Sequence, residues 1–283
     1  MEIIRIPRIL QDTCFKQRMH GRSIGFVPTM GALHEGHLSL IKRAASENDI
    51  TVVSIFVNPM QFGPSEDLAS YPRDVENDIL KIRELKADIL FLPDNSLMYA
   101  EGFSTSIQVD GLSERLCGHF RPGHFRGVAT VVAKLLNLTS PTRAYFGQKD
   151  FQQTVVIKRM VRDLNIGAEI VVCPTIREAD GLAMSSRNRY LAAEERTTAA
   201  TLYKALSRAS QQVVAGEPMT RIREQLHAML SAEPKITAID YASVFHPETL
   251  QELQETGQLK EVLIAVAVRI GKTRLIDNLI VNR

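Results

Sequence analysis

The chain has 283 residues, 45% of them hydrophobic and 23% charged, the composition of an ordinary soluble enzyme of one large domain or two modest ones. Thirty-four basic against 32 acidic side chains leave a net charge of +2, too little to imply a nucleic-acid partner. Residues 1–7 lack the uninterrupted apolar core of a secretory signal, and no apolar run approaches the ~20 residues that cross a bilayer, so no membrane association is expected.

In chain order, the first regular pattern is an apolar strand over Ile24–Thr29, followed by a helix from about 36 to 48 whose Leu38, Leu40, Ile41, Ala44 and Ala45 keep close to the helical period. Residues 50–57 form a nearly continuous apolar, β-branched run, as expected of a strand covered on both faces. Asn58-Pro59 ends it, because proline cannot donate to a ladder and disfavours helix before it. A polar loop through Gly63-Pro64-Ser65 leads to an amphipathic helix over about 74–86 and a strand at 88–92, closed by Pro93. Residues 99–127 read as irregular, with a short strand at 106–109 and a basic, turn-rich loop at 121–127. Helix resumes at 128–138, then a strand at 143–146, a helix at 151–164 and a strand at 168–173.

After about residue 175 the order changes. Two helix patterns, 192–215 and 220–230, precede strands near 236–245, 262–270 and 273–276. Strands alternating with helices predict a parallel sheet, and helices followed by adjacent strands predict a small α+β domain. The expected fold class is α/β, with domains at 1–175 and 176–283. Cys14, Cys117 and Cys173 are far apart and form no C-x-x-C pair, which argues for a reducing cytoplasm over a disulfide framework.

Four segments carry more polar specificity than packing requires. Met30-Gly31-Ala32-Leu33-His34-Glu35-Gly36-His37 sits where a buried strand turns into a helix. The glycines let backbone approach a ligand, the helix start offers unpaired N–H groups, and His34 and His37 share one helical face, so an anion fits. A tight turn with two surface histidines explains the same residues, and zinc is a third reading that lacks a completing ligand set nearby. Gln61 follows Asn58-Pro59 at a strand exit and carries both donor and acceptor, although a polar loop residue accounts for it equally. Gly147-Gln148-Lys149-Asp150 again joins a strand to a helix, and a lysine opposing the helix dipole suits a bound phosphate or simply solvent. Met184-Ser185-Ser186-Arg187 offers two hydroxyls and a forked guanidinium for phosphates, or a polar linker capping the next helix.

In this order the four segments closely resemble the pantothenate synthetases, the pantoate–β-alanine ligases of the H-x-G-H nucleotidyltransferase superfamily. The resemblance runs from Phe26-Val27-Pro28 to Arg274-Leu275-Ile276-Asp277-Asn278 and includes Tyr71-Pro72-Arg73, Arg121-Pro122-Gly123-His124-Phe125 and Lys149 to Gln153. It implies a Rossmann-like sheet with a C-terminal domain closing over the site. It further implies ATP-dependent condensation of (R)-pantoate with β-alanine to give pantothenate, AMP and pyrophosphate through a pantoyl adenylate, in coenzyme A biosynthesis.

By that resemblance, Met30, Gly31, Ala32, Leu33, His34, Glu35, Gly36 and His37 hold ATP, with His34 and His37 on its phosphates and His37 donating a proton. Gly147, Gln148, Lys149 and Asp150 form a second ATP segment, Ile176 lies near adenine, and Met184, Ser185, Ser186 and Arg187 form a mobile phosphate loop. His37, His34, Lys149, Ser185, Ser186 and Arg187 are the catalytic set implied. Gln61 and Gln153 bind pantoate, Gln61 also borders β-alanine, and Gln148 stands where the family often has glutamate. Mg²⁺ is expected on the nucleotide with no protein ligand, and a cytoplasmic homodimer is implied. A related nucleotidyltransferase would share the first and fourth segments without needing Gln61 and Gln153, and a nucleotide sensor would not need the full polar set. Gly271-Lys272-Thr273 is no phosphate loop, because Val266 stands where the first glycine belongs.

Overall fold

The computed structural model describes residues 1–64, 66–255 and 257–283, so Ser65 of the expected polar loop lies outside the described residues. In chain order the elements begin β1 (Glu2–Ile4), α1 (Pro7–Met19), β2 (Ile24–Thr29), α2 (Glu35–Glu47), β3 (Ile50–Ile55), α3 (Val75–Glu84), β4 (Ile89–Phe91) and α4 (Asn95–Met98). They continue with α5 (Cys117–Phe120), α6 (His124–Thr139), β5 (Arg143–Gly147), α7 (Phe151–Asp163) and β6 (Glu169–Cys173). Last come α8 (Ala193–Ala199), α9 (Thr201–Val214), α10 (Met219–Ser231), β7 (Ile236–Phe245), β8 (Glu261–Ile270) and β9 (Thr273–Asn282).

The chain divides into two units. The first comprises Met1–Ser113, Arg121–Gln148 and Gln153–Pro174. Its sheet runs β1-β4-β3-β2-β5-β6, and every pairing is parallel. All six residues of β3 are buried, the signature of a central strand covered by helices on both faces. Leu40, Ile41 and Ala44 of α2 and Ile82 of α3 pack with Val27, Val53, Leu90 and Tyr145 of the sheet. Each such aliphatic side chain contributes about 1.5–3 kcal/mol by leaving water. The strand order reverses where β2 lies beside β5, and in open parallel sheets ligands collect outside the carboxyl ends at such a reversal. The expected first segment follows directly from the carboxyl end of β2.

The second unit comprises Glu114–Phe120, Lys149–Gln152 and Thr175–Arg283. Its sheet is antiparallel, in the order β7-β8-β9. Leu202, Leu206 and Val213 of α9 and Ile222, Leu226 and Leu230 of α10 form one core with Val262, Ile264, Val266 and Val268 of β8. An α/β unit and a small α+β unit match the fold class expected from the sequence.

Several expected elements change. Residues 106–109 form no strand; the Ile107 N–H donates to the Thr130 hydroxyl on α6 at 2.9 Å instead of to a ladder. Helix α6 starts at His124, inside the expected basic loop, because Gly123 takes a left-handed φ of 81° and turns the chain into the helix early. The single helix expected over 192–215 is two, divided at Ala200, where the Thr201 hydroxyl donates to the Thr198 carbonyl at 2.7 Å. Strand β9 runs six residues beyond the expected 276, and β1 and α1 were not expected at all.

Candidate active site

In the first unit, the residues after β2 form a turn held by a buried carboxylate. Gly31 and Ala32 adopt positive φ values of 83° and 50°, which ladder bonds cannot support. The Asp78 carboxylate of α3 accepts the Ala32 N–H at 2.7 Å and the Leu33 N–H at 2.8 Å. Lys81, one turn further along α3, donates to the Leu33 carbonyl at 2.8 Å. The Thr29 hydroxyl completes the bend by accepting from the Gly31 N–H at 3.2 Å and donating to the Ser54 carbonyl at 2.8 Å. Burial raises the Asp78 carboxyl, opposed by its backbone hydrogen bonds and by Lys81.

This turn delivers His34 as the N-cap of α2 and His37 in its first turn, with ring centroids 4.1 Å apart and planes tilted by 40°. His34 Nδ1 accepts the Gly36 N–H at 3.2 Å, and His37 Nδ1 accepts the His34 N–H at 3.4 Å. Since both Nδ1 atoms are acceptors, the proton of each neutral ring resides on Nε2. Glu35 is exposed at the helix start, where its charge suits the dipole.

Gln61 lies in a short 3₁₀ turn, Pro59–Gln61, after β3. Its Oε1 accepts from Asn58 Nδ2 at 3.1 Å, and its Nε2 donates to the Met30 sulfur at 3.0 Å. Asn58 also donates to the Gly127 carbonyl at 3.1 Å and accepts from the Tyr99 hydroxyl at 2.7 Å. Gly127 sits so close that a methyl group there would collide with the Met60 carbonyl, so α6 can approach this turn only through glycine. The Gln61 carbonyl accepts from His124 Nδ1 at 2.8 Å, and Arg121 donates to His124 Nε2 at 3.1 Å. Arg121 also grips Glu66 through two nitrogens, at 2.6 and 2.7 Å. Met30, His34, His37 and Gln61 are thus tied into one framework within this unit. Gln153 stands half-buried in the first turn of α7.

Gly147 and Gln148 end a segment of the first unit, and the second unit holds Lys149, Asp150, Ile176 and Met184 to Arg187. Lys149 lies in a 3₁₀ turn, Gln148–Asp150, with Nζ 3.9 Å from the Asp150 carboxylate and its own carbonyl accepting from Asn278 Nδ2 at 2.9 Å. Gln152 is spent on backbone: it accepts from Cys117 N–H at 2.9 Å and donates to the Arg115 carbonyl at 2.7 Å. Ile176 and Met184 face each other across a turn, the Met184 N–H donating to the Ile176 carbonyl at 3.0 Å. Ser185 caps the short 3₁₀ helix Ser186–Tyr190 by accepting from the Arg187 N–H at 3.3 Å, whereas the N-cap of α8 is Ala192. Asn188 secures the segment by donating to Glu178 at 2.8 Å and to the Ala183 carbonyl at 3.2 Å.

Asp78, Glu66 and Gly127 escaped the sequence reading. Only Asp78 had left a signal: Val75, Asp78, Ile79 and Ile82 are spaced as one buried helical stripe, and a carboxylate inside such a stripe needs a partner. Among the described residues no group of three or more His, Cys, Asp or Glu side chains could hold a metal ion. Asp78, the carboxylate nearest in the turn, already gives both oxygens to backbone N–H groups.

The Glu66–Arg121 pair gives a pH prediction. Burial works to raise the Glu66 carboxyl, but hydrogen bonds and charge from Arg121, with help from the Gly63 N–H and His124, bring it from 4.5 down to about 2. A depressed folded-state value stabilises the fold above the unfolded value and is lost as pH falls toward about 2. Discounted for solvent screening, the pair contributes on the order of 2 kcal/mol. Denaturant unfolding should therefore find Glu66→Gln less stable than the parent at about pH 6, with the gap shrinking by about pH 3; a pH-independent gap would contradict this.

A family model described as pantoate-beta-alanine ligase matches residues 2–280. The pantothenate synthetase of Thermodesulfovibrio yellowstonii is 57% identical over 282 residues, covering 100% of both chains. A crystal structure of pantothenate synthetase from Thermus thermophilus superposes with a TM-score of 0.93 at 45% identity, over 99% of each chain. One of pantoate-beta-alanine ligase from Francisella tularensis, complexed with beta-gamma ATP and β-alanine, gives 0.79 at 35% identity, over 99% of this chain and 97% of that one. The chain belongs to the pantoate–β-alanine ligase family.

Proposed function

We propose that this chain condenses pantoate with β-alanine at the expense of ATP, forming pantothenate, AMP and pyrophosphate. The observation that carries the reading is the His34–His37 pair at the head of α2, each Nδ1 accepting a backbone N–H, with the Met30–Gln61 contact in the same unit. A carboxylate is a poor electrophile, so the chemistry requires its oxygen to be joined to a better leaving group. A pantoate carboxylate oxygen attacks the α-phosphorus of ATP; the bond to the bridging oxygen breaks, and pyrophosphate leaves. The amine of β-alanine then attacks the acyl carbon of pantoyl adenylate, the C–O bond breaks, and AMP departs.

In the first step charge builds on the phosphoryl oxygens and on departing pyrophosphate. His34 and His37 donate there through Nε2, as oriented hydrogen-bond donors that need no reorganisation. His37 is the proposed proton donor. Lys149, Ser185, Ser186 and Arg187 supply the remaining electrostatic stabilisation, with the guanidinium as a forked donor. Residues 30–37 and 147–150, together with Ile176 and Met184, bind ATP. Gln61 and Gln153 orient pantoate, and Gln61 also meets β-alanine. The division of labour is pantoate binding and most of the ATP contact in residues 1–175, with 176–283 as a lid that brings Ile176, Met184, Ser185, Ser186 and Arg187.

Mg²⁺ is proposed to arrive on the triphosphate, since it binds readily through phosphates and keeps several waters. The described carboxylates and histidines offer no ready cage, and no step here runs through a protein-bound ion. No helix among the described residues is long and apolar enough to cross a membrane. A cytoplasmic homodimer is the proposed working form, and light scattering at twice the mass of one chain would support the dimer, while a monomer mass would end that part.

The reaction is tested by pyrophosphate exchange into ATP without β-alanine. Exchange should depend on pantoate, and the product of the complete reaction should be AMP; ADP as product without such exchange would overturn the reading. His37→Ala should slow the exchange by about 10²–10³-fold with unchanged circular dichroism. An undiminished single-turnover rate would remove His37 from its role.

A further inference from the structure

The stretch Arg274-Leu275-Ile276-Asp277-Asn278 marks the resemblance near the C-terminus but enters none of the steps above. It lies in β9, where Asp277 and Asn278 are 2% and 3% exposed. Successive strand residues point to opposite faces, so this pair puts one buried polar group on each side of the antiparallel sheet. Buried polar groups are costly unless bonded, and two in succession are not what packing alone would select.

On one face the Asp277 carboxylate accepts a forked pair from Arg177, at 2.6 and 3.0 Å. Arg177 also donates to the Gly181 carbonyl at 3.0 Å, and its guanidinium lies 4.1 Å from the Tyr203 ring centroid. The turn from Ile176 to Met184, immediately before Ser185, is anchored by these contacts. On the other face Asn278 Nδ2 donates to the Lys149 carbonyl at 2.9 Å. The two faces are joined through one peptide: the Asn278 N–H donates to Asp277 Oδ1 at 2.8 Å, and Arg177 reaches the Asn278 carbonyl at 3.4 Å. Burial raises the Asp277 carboxyl while Arg177 and the charge of Lys149 oppose the rise.

We infer that Asn278 is a positioning residue for Lys149, and that the Asp277–Arg177 pair joined to it aligns residues 185–187 with that lysine. The inference rests on the reading above that Lys149 and residues 185–187 act on ATP phosphates. Asn278 touches no reacting atom; it fixes the backbone from which the Lys149 side chain extends. A displacement of about 1 Å in such a group can cost on the order of 10²-fold in rate.

The test is a double-mutant cycle on pantoate-dependent pyrophosphate exchange, using the full chain. Asn278→Leu, which removes the amide at similar volume, should lower the exchange kcat about 10–100-fold and leave the KM for pantoate unchanged. Asn278→Gln, which keeps the amide, should recover part of that loss. The Lys149→Ala, Asn278→Leu double variant should be no slower than Lys149→Ala alone, since the two act through one group. If circular dichroism finds the leucine variant unfolded, Asn278→Asp carries the same cycle with the same expectation. Fully additive losses, or a wild-type rate for the Asn278 variant beside a slow Lys149→Ala, would overturn the inference. A wild-type exchange rate for Lys149→Ala would instead overturn the role of Lys149, and the inference with it.

Discussion

The catalytic reading depends first on a carboxylate whose partners are backbone N–H groups. A chain leaving β2 toward the head of α2 must turn within a few residues, and Gly31 and Ala32 make that turn through left-handed conformations. Two amide N–H groups in such a turn would be buried without ladder partners, at a cost of about 1–3 kcal/mol each. Asp78 takes both, and α3 carries it there because Val75, Ile79 and Ile82 place the same helical stripe in the core. The negative charge is offset because each of its oxygens accepts a backbone N–H and Lys81 lies one turn away. Without this clamp His34 would lose its fixed entry into the helix cap, and the His37 ring would lose the partner that sets its tautomer.

Activation of a carboxylate needs donors where phosphoryl charge develops and a second set that presents the carboxylate itself. In the proposed reaction the first unit supplies one piece of each, His34 with His37 for the phosphates and Gln61 for the acid, and a hydrogen bond joins Gln61 to Met30 in the segment that carries the histidines. That framework is held for local reasons: Gly127 lets α6 press on the Gln61 turn, while Arg121 and His124 donate to the Gln61 carbonyl. The second unit repeats the strategy around Lys149 and Ser185. There a cap, a guanidinium–carboxylate pair and one asparagine fix two short turns. In both units, polar side chains paired within the fold fix the turns that carry the proposed reactive ones.

Much of this was legible in the sequence, and the exceptions follow a pattern. The β-branched run at 50–55 and the periodicity of α2 read directly as a central strand and a helix, because covering on both faces or on one leaves a distinct hydrophobic period. The boundaries depended on single backbone conformations that residue patterns do not report: Gly123 starts α6 early, and Ala200 divides a helix that periodicity makes continuous. Residues 106–109 alternate like a strand, yet the Thr130 hydroxyl takes the Ile107 N–H, a pairing decided by tertiary packing. Among the candidate residues, the polar ones at strand–helix junctions announced themselves by chemistry that packing did not need. Glu66 did not, and Asp78 did so only through its place in an apolar helical stripe, because a carboxylate looks like an ordinary surface charge until its partner is known.

The central claim is that pantoate is activated by attack of its own carboxylate oxygen on the α-phosphorus of ATP, at donors set by the clamped turn. Carboxyl-labelled oxygen-18 pantoate follows that oxygen through both steps. The account predicts that one labelled oxygen per turnover appears in the phosphate of AMP, with the other retained in the amide carbonyl of pantothenate. Unlabelled AMP, with the label in inorganic phosphate or released to water, would contradict it.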